Sequence, residues 1–242
     1  MWALVENHSV GAGAALKVSI VVPTFNRPKY LAVALESIRR QTYRDYDVIV
    51  VDDGGSTPES KDIAKFYNAN YVWKYNGGIA SSLNTGILSS EGEWIKWLSD
   101  DDFLHPEYLE KMLAGEGDIR YCPYWLVDEA GEILSLFREP RYDNWKDFAF
   151  RLWIGHVGNG SSTLIRRGVF DKVGLFDESL RFHEDYDWWL RAVLKHKYMF
   201  KLVDEPLLYY RVHQGQLTRA VAAQAFQQNE AIRKRYLEYL PE

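Results

Sequence analysis

Cysteine is nearly absent: Cys122 stands alone in 242 residues, which excludes an internal disulfide and any metal site built on several thiolates. A reducing cytoplasm suits such a chain. No window approaches the roughly 20 consecutive apolar residues that span a bilayer, so membrane contact is expected to be peripheral at most, at the inner membrane surface. A basic surplus is missing too. The 29 Lys and Arg stand against 34 Asp and Glu, a net charge of -5, whereas a general nucleic-acid binder shows a basic face that releases phosphate counterions. Gly-x-x-x-x-Gly-Lys-Ser/Thr does not occur, which argues against P-loop chemistry, and no Gly-x-Gly-x-x-Gly follows the first strand. Residues 1–16 lack the cationic start and apolar run of a signal peptide and read as a flexible leader.

What is present is enough apolar residue, 47% of the chain, to fill one core. Val18-Ser19-Ile20-Val21-Val22, stopped by Pro23, and Val48-Ile49-Val50-Val51, stopped by Asp52-Asp53-Gly54, read as buried parallel strands. Between them Tyr30, Leu31, Ala34, Leu35 and Ile38 recur at helical spacing, with Asn26 and Pro28 placed to start the helix. A strand at 71–75, a break at Gly77-Gly78, a helix at 80–89 and a strand at 94–98 continue the alternation, and a short helix follows Pro106. The expectation is an α/β fold, a mostly parallel sheet flanked by helices. After Gly117 the pattern changes. Segments 120–127 and 132–137 flank a hairpin turn at 128–131, 138–146 reads as a surface loop, and a small antiparallel part is expected. A strand at 162–165, a helix at 185–195, strands at 199–203 and 207–212 and a helix at 220–239 complete the reading. One domain is expected over 17–218, with halves 17–115 and 116–218, followed by a C-terminal helix over 219–242.

Ligands of open α/β sheets bind beyond the carboxyl ends of the strands. Three of those ends here are Pro23-Thr24-Phe25-Asn26, Asp52-Asp53-Gly54-Gly55 and Ser99-Asp100-Asp101-Asp102. One strand-end Asp is ordinary turn chemistry. Three consecutive acids repel one another unless solvated or neutralised, and a hard divalent cation bound through oxygen is the natural neutraliser. Such a cation with open positions takes phosphate oxygens from a diphosphate.

The segment Val18 to Arg27, then Leu35-x-x-Ile38-x-x-Gln41-Thr42-Tyr43 and Val50-Val51-Asp52-Asp53-Gly54, resembles the start of family 2 glycosyltransferases with the GT-A fold. Gly92-Glu93-Trp94 through Asp102 is similar to their metal-binding DXD region. Phe170-x-x-Val173-Gly174-x-Phe176-Asp177-Glu178 and Glu184-Asp185-Tyr186-Asp187-Trp188-Trp189-Leu190-Arg191 are similar to their acceptor-side segment. The match runs in order from residue 17 to about 218.

The resemblance implies a metal-dependent, inverting transfer of a sugar from a UDP-, GDP- or dTDP-sugar to a glycan, lipid-linked or other hydroxyl acceptor, as in polysaccharide biosynthesis. It implies that Pro23, Thr24 and Phe25 line the nucleoside pocket, that Asp52 accepts a hydrogen bond from the base and that Asp100 approaches the ribose. Arg27, Gly78 and Asn84 complete the donor set. Asp101 binds Mn2+ or Mg2+, with Asp102 a further ligand, because Ser99 stands where the family carries its first acid. His213 lies where these enzymes often have a residue reaching the metal or diphosphate; a lone histidine is otherwise structural or exposed. Leu83 departs from the family, many members of which have Arg before Asn84, and removes one donor contact.

The implied general base is Asp185, at a helix start where the macrodipole favours its charge, while burial, Glu184 and Asp187 oppose it; taken alone, it is equally an N-cap. Glu184, Trp188 and His156 are the acceptor-side candidates. Neighbouring residues on a helix point about 100° apart, so one of Trp188 and Trp189 belongs to the core, Trp189 being the expected one. Arg233, Lys234 and Arg235 read as a solvated face. Two other readings stand beside this one: a sugar-nucleotide nucleotidyltransferase, which needs a Gly-rich basic loop to hold a triphosphate, and a non-catalytic module of the same fold.

Overall fold

The computed structural model describes residues 18–216 and 222–241; the predicted leader lies outside them. Strand β1 (Val18–Thr24) is followed by helix α1 (Pro28–Arg39), β2 (Tyr46–Asp52), α2 (Glu59–Phe66), β3 (Asn70–Trp73), α3 (Gly78–Leu88) and β4 (Trp94–Trp97). These four strands run parallel to one another, with β1 between β2 and β4. The chain thus runs outward through β2 and β3, then returns to the far side of β1. That reversal opens a crevice at the carboxyl ends of β1 and β4.

Beyond β4 come β5 (Phe103–Leu104), α4 (Tyr108–Ala114), β6 (Ile119–Tyr121), β7 (Tyr124–Val127), β8 (Ile133–Phe137), α5 (Trp145–Ile154), β9 (Thr163–Arg166), α6 (Arg167–Val173), α7 (Glu184–Leu190), β10 (Lys201–Leu202), β11 (Leu208–Arg211) and α8 (Ala222–Lys234). The large sheet has seven strands in the order β10-β6-β9-β4-β1-β2-β3, and β9 alone runs against its neighbours. A second sheet, β5-β11-β7-β8, has four. The predicted strand 120–127 is split between the two sheets at Pro123, which lacks an N–H for a ladder and fixes its own φ. The hairpin over 128–131 is as expected, while α2, α5 and α6 are helices that the hydrophobic periodicity did not reveal. The predicted helix 185–195 closes as a π-turn over Arg191–Lys195.

Both faces of the large sheet are covered. Alternation along β1 sends Val21 to one face, with Leu83 and Ile87 of α3 and Trp97 of β4, and sends Val18, Ile20 and Val22 to the other, with Leu31, Leu35 and Ile38 of α1. Each such side chain, fully buried, contributes about 1.5–3 kcal/mol. Helix α3 lies directly on β1 because residue 86 is glycine: a Cβ there would stand 2.2 Å from Val21 Cγ1. Asn26 does not cap α1. Its backbone is left-handed at φ 55°, and its side-chain oxygen accepts from Ser56 N at 2.8 Å, tying the loop after β1 to the loop after β2.

Candidate active site

The crevice is a cleft of about 670 Å³. One wall holds the acidic run after β4. The Thr24 hydroxyl donates to Asp100 Oδ2 at 2.8 Å, and Arg27 donates to Asp101 Oδ2 at 3.0 Å and, at 3.4 Å, to Asp100 Oδ1. The second nitrogen of Arg27 reaches Gly215 O at 2.8 Å. His213 Nε2 lies 3.1 Å from the same Asp101 Oδ2, its ring tilted against Tyr30. Burial, and then the charge of Asp101, push Asp100 up to about 7 against the opposing pull of Arg27. Burial and Asp101 likewise raise Asp102 well above the carboxylate range. The site therefore gathers more carboxylate than Arg27 alone offsets, which suits a cation.

Two of the expected ligands, Asp101 and His213, converge. Asp102 is placed differently from the expectation of a free ligand: it is buried, its Oδ1 accepts from Arg211 N at 3.1 Å, and its Oδ2 has no hydrogen-bond partner. It fastens β11 to the acidic run, and Arg211 reinforces the junction by donating to Asp101 O at 2.9 Å.

The donor-side expectations divide. Pro23, Thr24, Phe25, Arg27, Gly78, Asp100 and Leu83 line the cleft, and Phe25 is 46% exposed there. Asp52 does not. It is fully buried, accepting from Gly55 N at 2.7 Å and from the Tyr71 hydroxyl at 2.8 Å. Its neighbour Asp53 faces the cleft instead, accepting from Lys74, Gly77 N and Gly78 N. Asn84 is also withdrawn, its amide exchanging hydrogen bonds with the Phe176 backbone and donating to Glu178. Asp52, the last residue of β2, turns to Tyr71 on β3, while Asp53, just beyond the strand, turns to the cleft. Asn84 follows Leu83 on α3 and so turns to the α6–α7 connection.

The opposite wall is built on α7. Asp185 and Glu184 line the cleft with His156 and His183. Burial and the Asp185 charge push Glu184 up to about 8. Asp185 Oδ1 accepts from Tyr186 N at 2.7 Å. His156 stacks on Tyr186, ring centroids 4.4 Å apart, and Tyr186 is held by its own bond to Trp153 O and by one from Arg233 Nε. Trp188 is not an acceptor platform: both tryptophans are fully buried. Trp188 Nε1 donates to Gly174 O at 2.7 Å and the ring packs on Phe170 and Phe176, because α7 is enclosed on more than one side. Nor is the cationic cluster of α8 simply solvated, since Arg235 pairs with Asp177 and Asp187 while the Tyr236 hydroxyl donates to Asp187 at 2.9 Å.

The floor contains two residues that the sequence reading passed over, Gly160 and Lys96, beside Ser161. Gly160 abuts Trp97 so closely that a Cβ would stand 1.6 Å from Cζ2. Ser161 Oγ accepts from Ser99 N at 3.0 Å. Behind it the fully buried Lys96 donates to Ser161 O and lies 4.6 Å from the Tyr108 ring centroid; burial lowers it to about 7. Among the described residues, the group of three side chains spaced to hold a metal is His156, His183 and Asp185, not the acidic run.

A mixed, mostly parallel α/β sheet thus carries the acidic run after β4 and the Glu184-Asp185 pair on opposite walls of one cleft. The sequence profile described as Glycosyl transferase family 2 matches residues 19–174, and the chain belongs to that family. An uncharacterized glycosyltransferase of Rickettsia typhi is 34% identical over 233 residues, covering 92% of this chain and 72% of the relative. One of Methanocaldococcus jannaschii is 30% identical, covering 81% and 70%, and a longer one of Rickettsia felis is 32% identical but only 31% covered. Two solved structures share the fold. Staphylococcus aureus TarS 1–349 in complex with UDP-GlcNAc has a TM-score of 0.65 at 19% identity, covering 92% of this chain and 72% of that one. The mannosyltransferase PcManGT of Pyrobaculum calidifontis, in complex with GDP-Man and Mn2+, has a TM-score of 0.64 at 16% identity, covering 90% and 64%. No helix among the described residues is long and apolar enough to cross a membrane.

Proposed function

We propose that this glycosyltransferase moves a sugar from a nucleoside diphosphate donor to a hydroxyl acceptor with inversion at the anomeric carbon. The observation that carries the reading is that Asp101, paired with His213, and Asp185 border one cleft at the carboxyl ends of β1 and β4. The base of the nucleoside stacks on exposed Phe25, beside Pro23 and Thr24, with Asp53 and Gly78 on the β3 side. UDP-GlcNAc and GDP-Man are the donors in TarS and PcManGT; here a UDP-, GDP- or dTDP-sugar is the corresponding class. Asp101 and His213 hold Mn2+ or Mg2+, and Arg27 presents its guanidinium at the same point.

Asp185 accepts the proton of the acceptor hydroxyl as that oxygen attacks the anomeric carbon. The bond from that carbon to the β-phosphate oxygen breaks, and its electron pair leaves with the nucleoside diphosphate. Held by Asp101 and His213, a divalent cation would supply positive charge at the departing diphosphate, in place of a protein acid. Glu184, pushed up to about 8, is mostly protonated at neutral pH and leaves Asp185 as the proton acceptor of the pair.

Calorimetric titration of UDP, GDP and dTDP, each with Mn2+ or Mg2+, tests the donor side. One nucleotide is expected to bind in a metal-dependent way, and Asp101→Ala to abolish that dependence. Undiminished metal-dependent binding in Asp101→Ala would remove the assignment.

A further inference from the structure

The acceptor wall contains a cluster of which the transfer reaction uses only Asp185. One ligand atom each from His156, His183 and Asp185 lies within 4.8 Å of the other two. The Nε2 atoms of both imidazoles are buried without a hydrogen-bond partner in the protein, although an orphaned buried nitrogen is costly. A proton relay would instead show these nitrogens bonded to the carboxylate, yet Asp185 Oδ1 accepts from Tyr186 N. The rings are held in place rather than loose. His156 is stacked on Tyr186, whose hydroxyl is anchored at Trp153 and Arg233. His183 is held at a left-handed φ of 57°, a conformation uncommon for a residue with a Cβ and one that clusters at functional sites.

We propose that His156, His183 and Asp185 form a second cation site, separate from Asp101 and His213, that takes a late first-row divalent ion such as Zn2+ and thereby withdraws Asp185 from catalysis. Two imidazoles and one carboxylate suit zinc, whereas magnesium and calcium prefer oxygen ligands. Bonds of about 2.0–2.2 Å to zinc put ligand atoms roughly 3.3–3.6 Å apart, so separations of up to 4.8 Å close through a shift of about an ångström or less in each side chain. The inhibitory consequence rests on the reading of Asp185 as the base; the binding site itself does not.

The test is a calorimetric titration of Zn2+ into the full chain and into Asp101→Ala, His156→Phe and His183→Asn. Phe keeps the stack on Tyr186, and Asn tolerates the left-handed backbone. One equivalent is expected in the wild type and in Asp101→Ala, with affinity at least tenfold weaker in His156→Phe and His183→Asn. Circular dichroism establishes that each variant is folded. No zinc binding in Asp101→Ala, or wild-type affinity in both histidine variants, overturns the site. In a second arm, release of nucleoside diphosphate from a sugar nucleotide with Mn2+ is followed as Zn2+ is added. Suppression that His183→Asn relieves, relative to its own zinc-free rate, supports the withdrawal of Asp185, and zinc binding without suppression overturns it. Donor binding with Mn2+ is read separately, so failure of the donor assignment leaves the zinc titration interpretable.

Discussion

Replacing Glu184 with Gln removes one ionisable proton from the acceptor wall while keeping a neutral side chain of the same shape. Glu184 is 9% exposed, and burial, followed by the charge of Asp185, moves it from 4.5 to about 8. Because the folded value lies above the unfolded one, the stability that this group contributes is complete below about pH 4.5. It is lost progressively as pH rises to about 8. At about 1.36 kcal/mol per pKa unit, the ionised form carries a penalty on the order of 4 kcal/mol as an upper bound. Water entering the open cleft reduces it, but even half would shift Tm by about 4–8 °C in a protein of this size. Glu184→Gln cannot ionise and escapes the penalty. Thermal unfolding of both proteins without ligand, from pH 4.5 to 9, should therefore show a gap that opens in favour of Gln as pH rises and is constant beyond about 9. A pH-independent gap, or one that closes, would refute the placement of Glu184 in a desolvated site beside Asp185.

Asp185→Asn is expected to leave donor affinity intact and lower turnover by about 10²–10⁴-fold, the range for a lost general base; a parallel loss of nucleotide binding in calorimetry would make it a binding residue instead. Gly160→Ala should cost about 1–3 kcal/mol in chemical denaturation, since its Cβ cannot coexist with Trp97 as placed, and unchanged stability would show that the floor yields easily. Lys96, lowered from 10.5 to about 7, contributes stability above its unfolded value that disappears as pH falls through 7. Lys96→Met should thus gain on the wild type between pH 10 and pH 6, by about 2–4 kcal/mol before the lost bond to Ser161 O is counted; a gain independent of pH would count against a charged Lys96 in the core.

The parts of the fold legible in the sequence are those whose burial is extreme. β1, β2 and β4 are buried on both faces and wrote continuous apolar runs. Helix α2 buries only Ser60 and Ala64, too little to impose a 3.6-residue period. Helix α5 carried a usable start signal, with Asn144 accepting from Asp147 N at 2.9 Å, but exposed Phe150 and Ile154 blur its apolar face. At the site, the acidic run was visible because three consecutive acids repel one another, and Asp185 through the family resemblance, since an acid at a helix start is ordinary by itself. Asp52 against Asp53, and Trp188 against Trp189, turn on which way one side chain points, and that depends on partners distant in the chain such as Tyr71 and Gly174. His183 was overlooked because its distinguishing property is a backbone angle.

The bonds from Arg233 to Tyr186 and from Arg235 and Tyr236 to Asp187 make the last helix a buttress for the wall that carries Asp185. A chain shortened before residue 233 would keep every residue lining the cleft and still lose the props behind His156 and α7. Its signature would be an intact nucleotide grip with a slackened catalytic edge, so trimming the tail is a way to uncouple the two halves of the cycle without touching either.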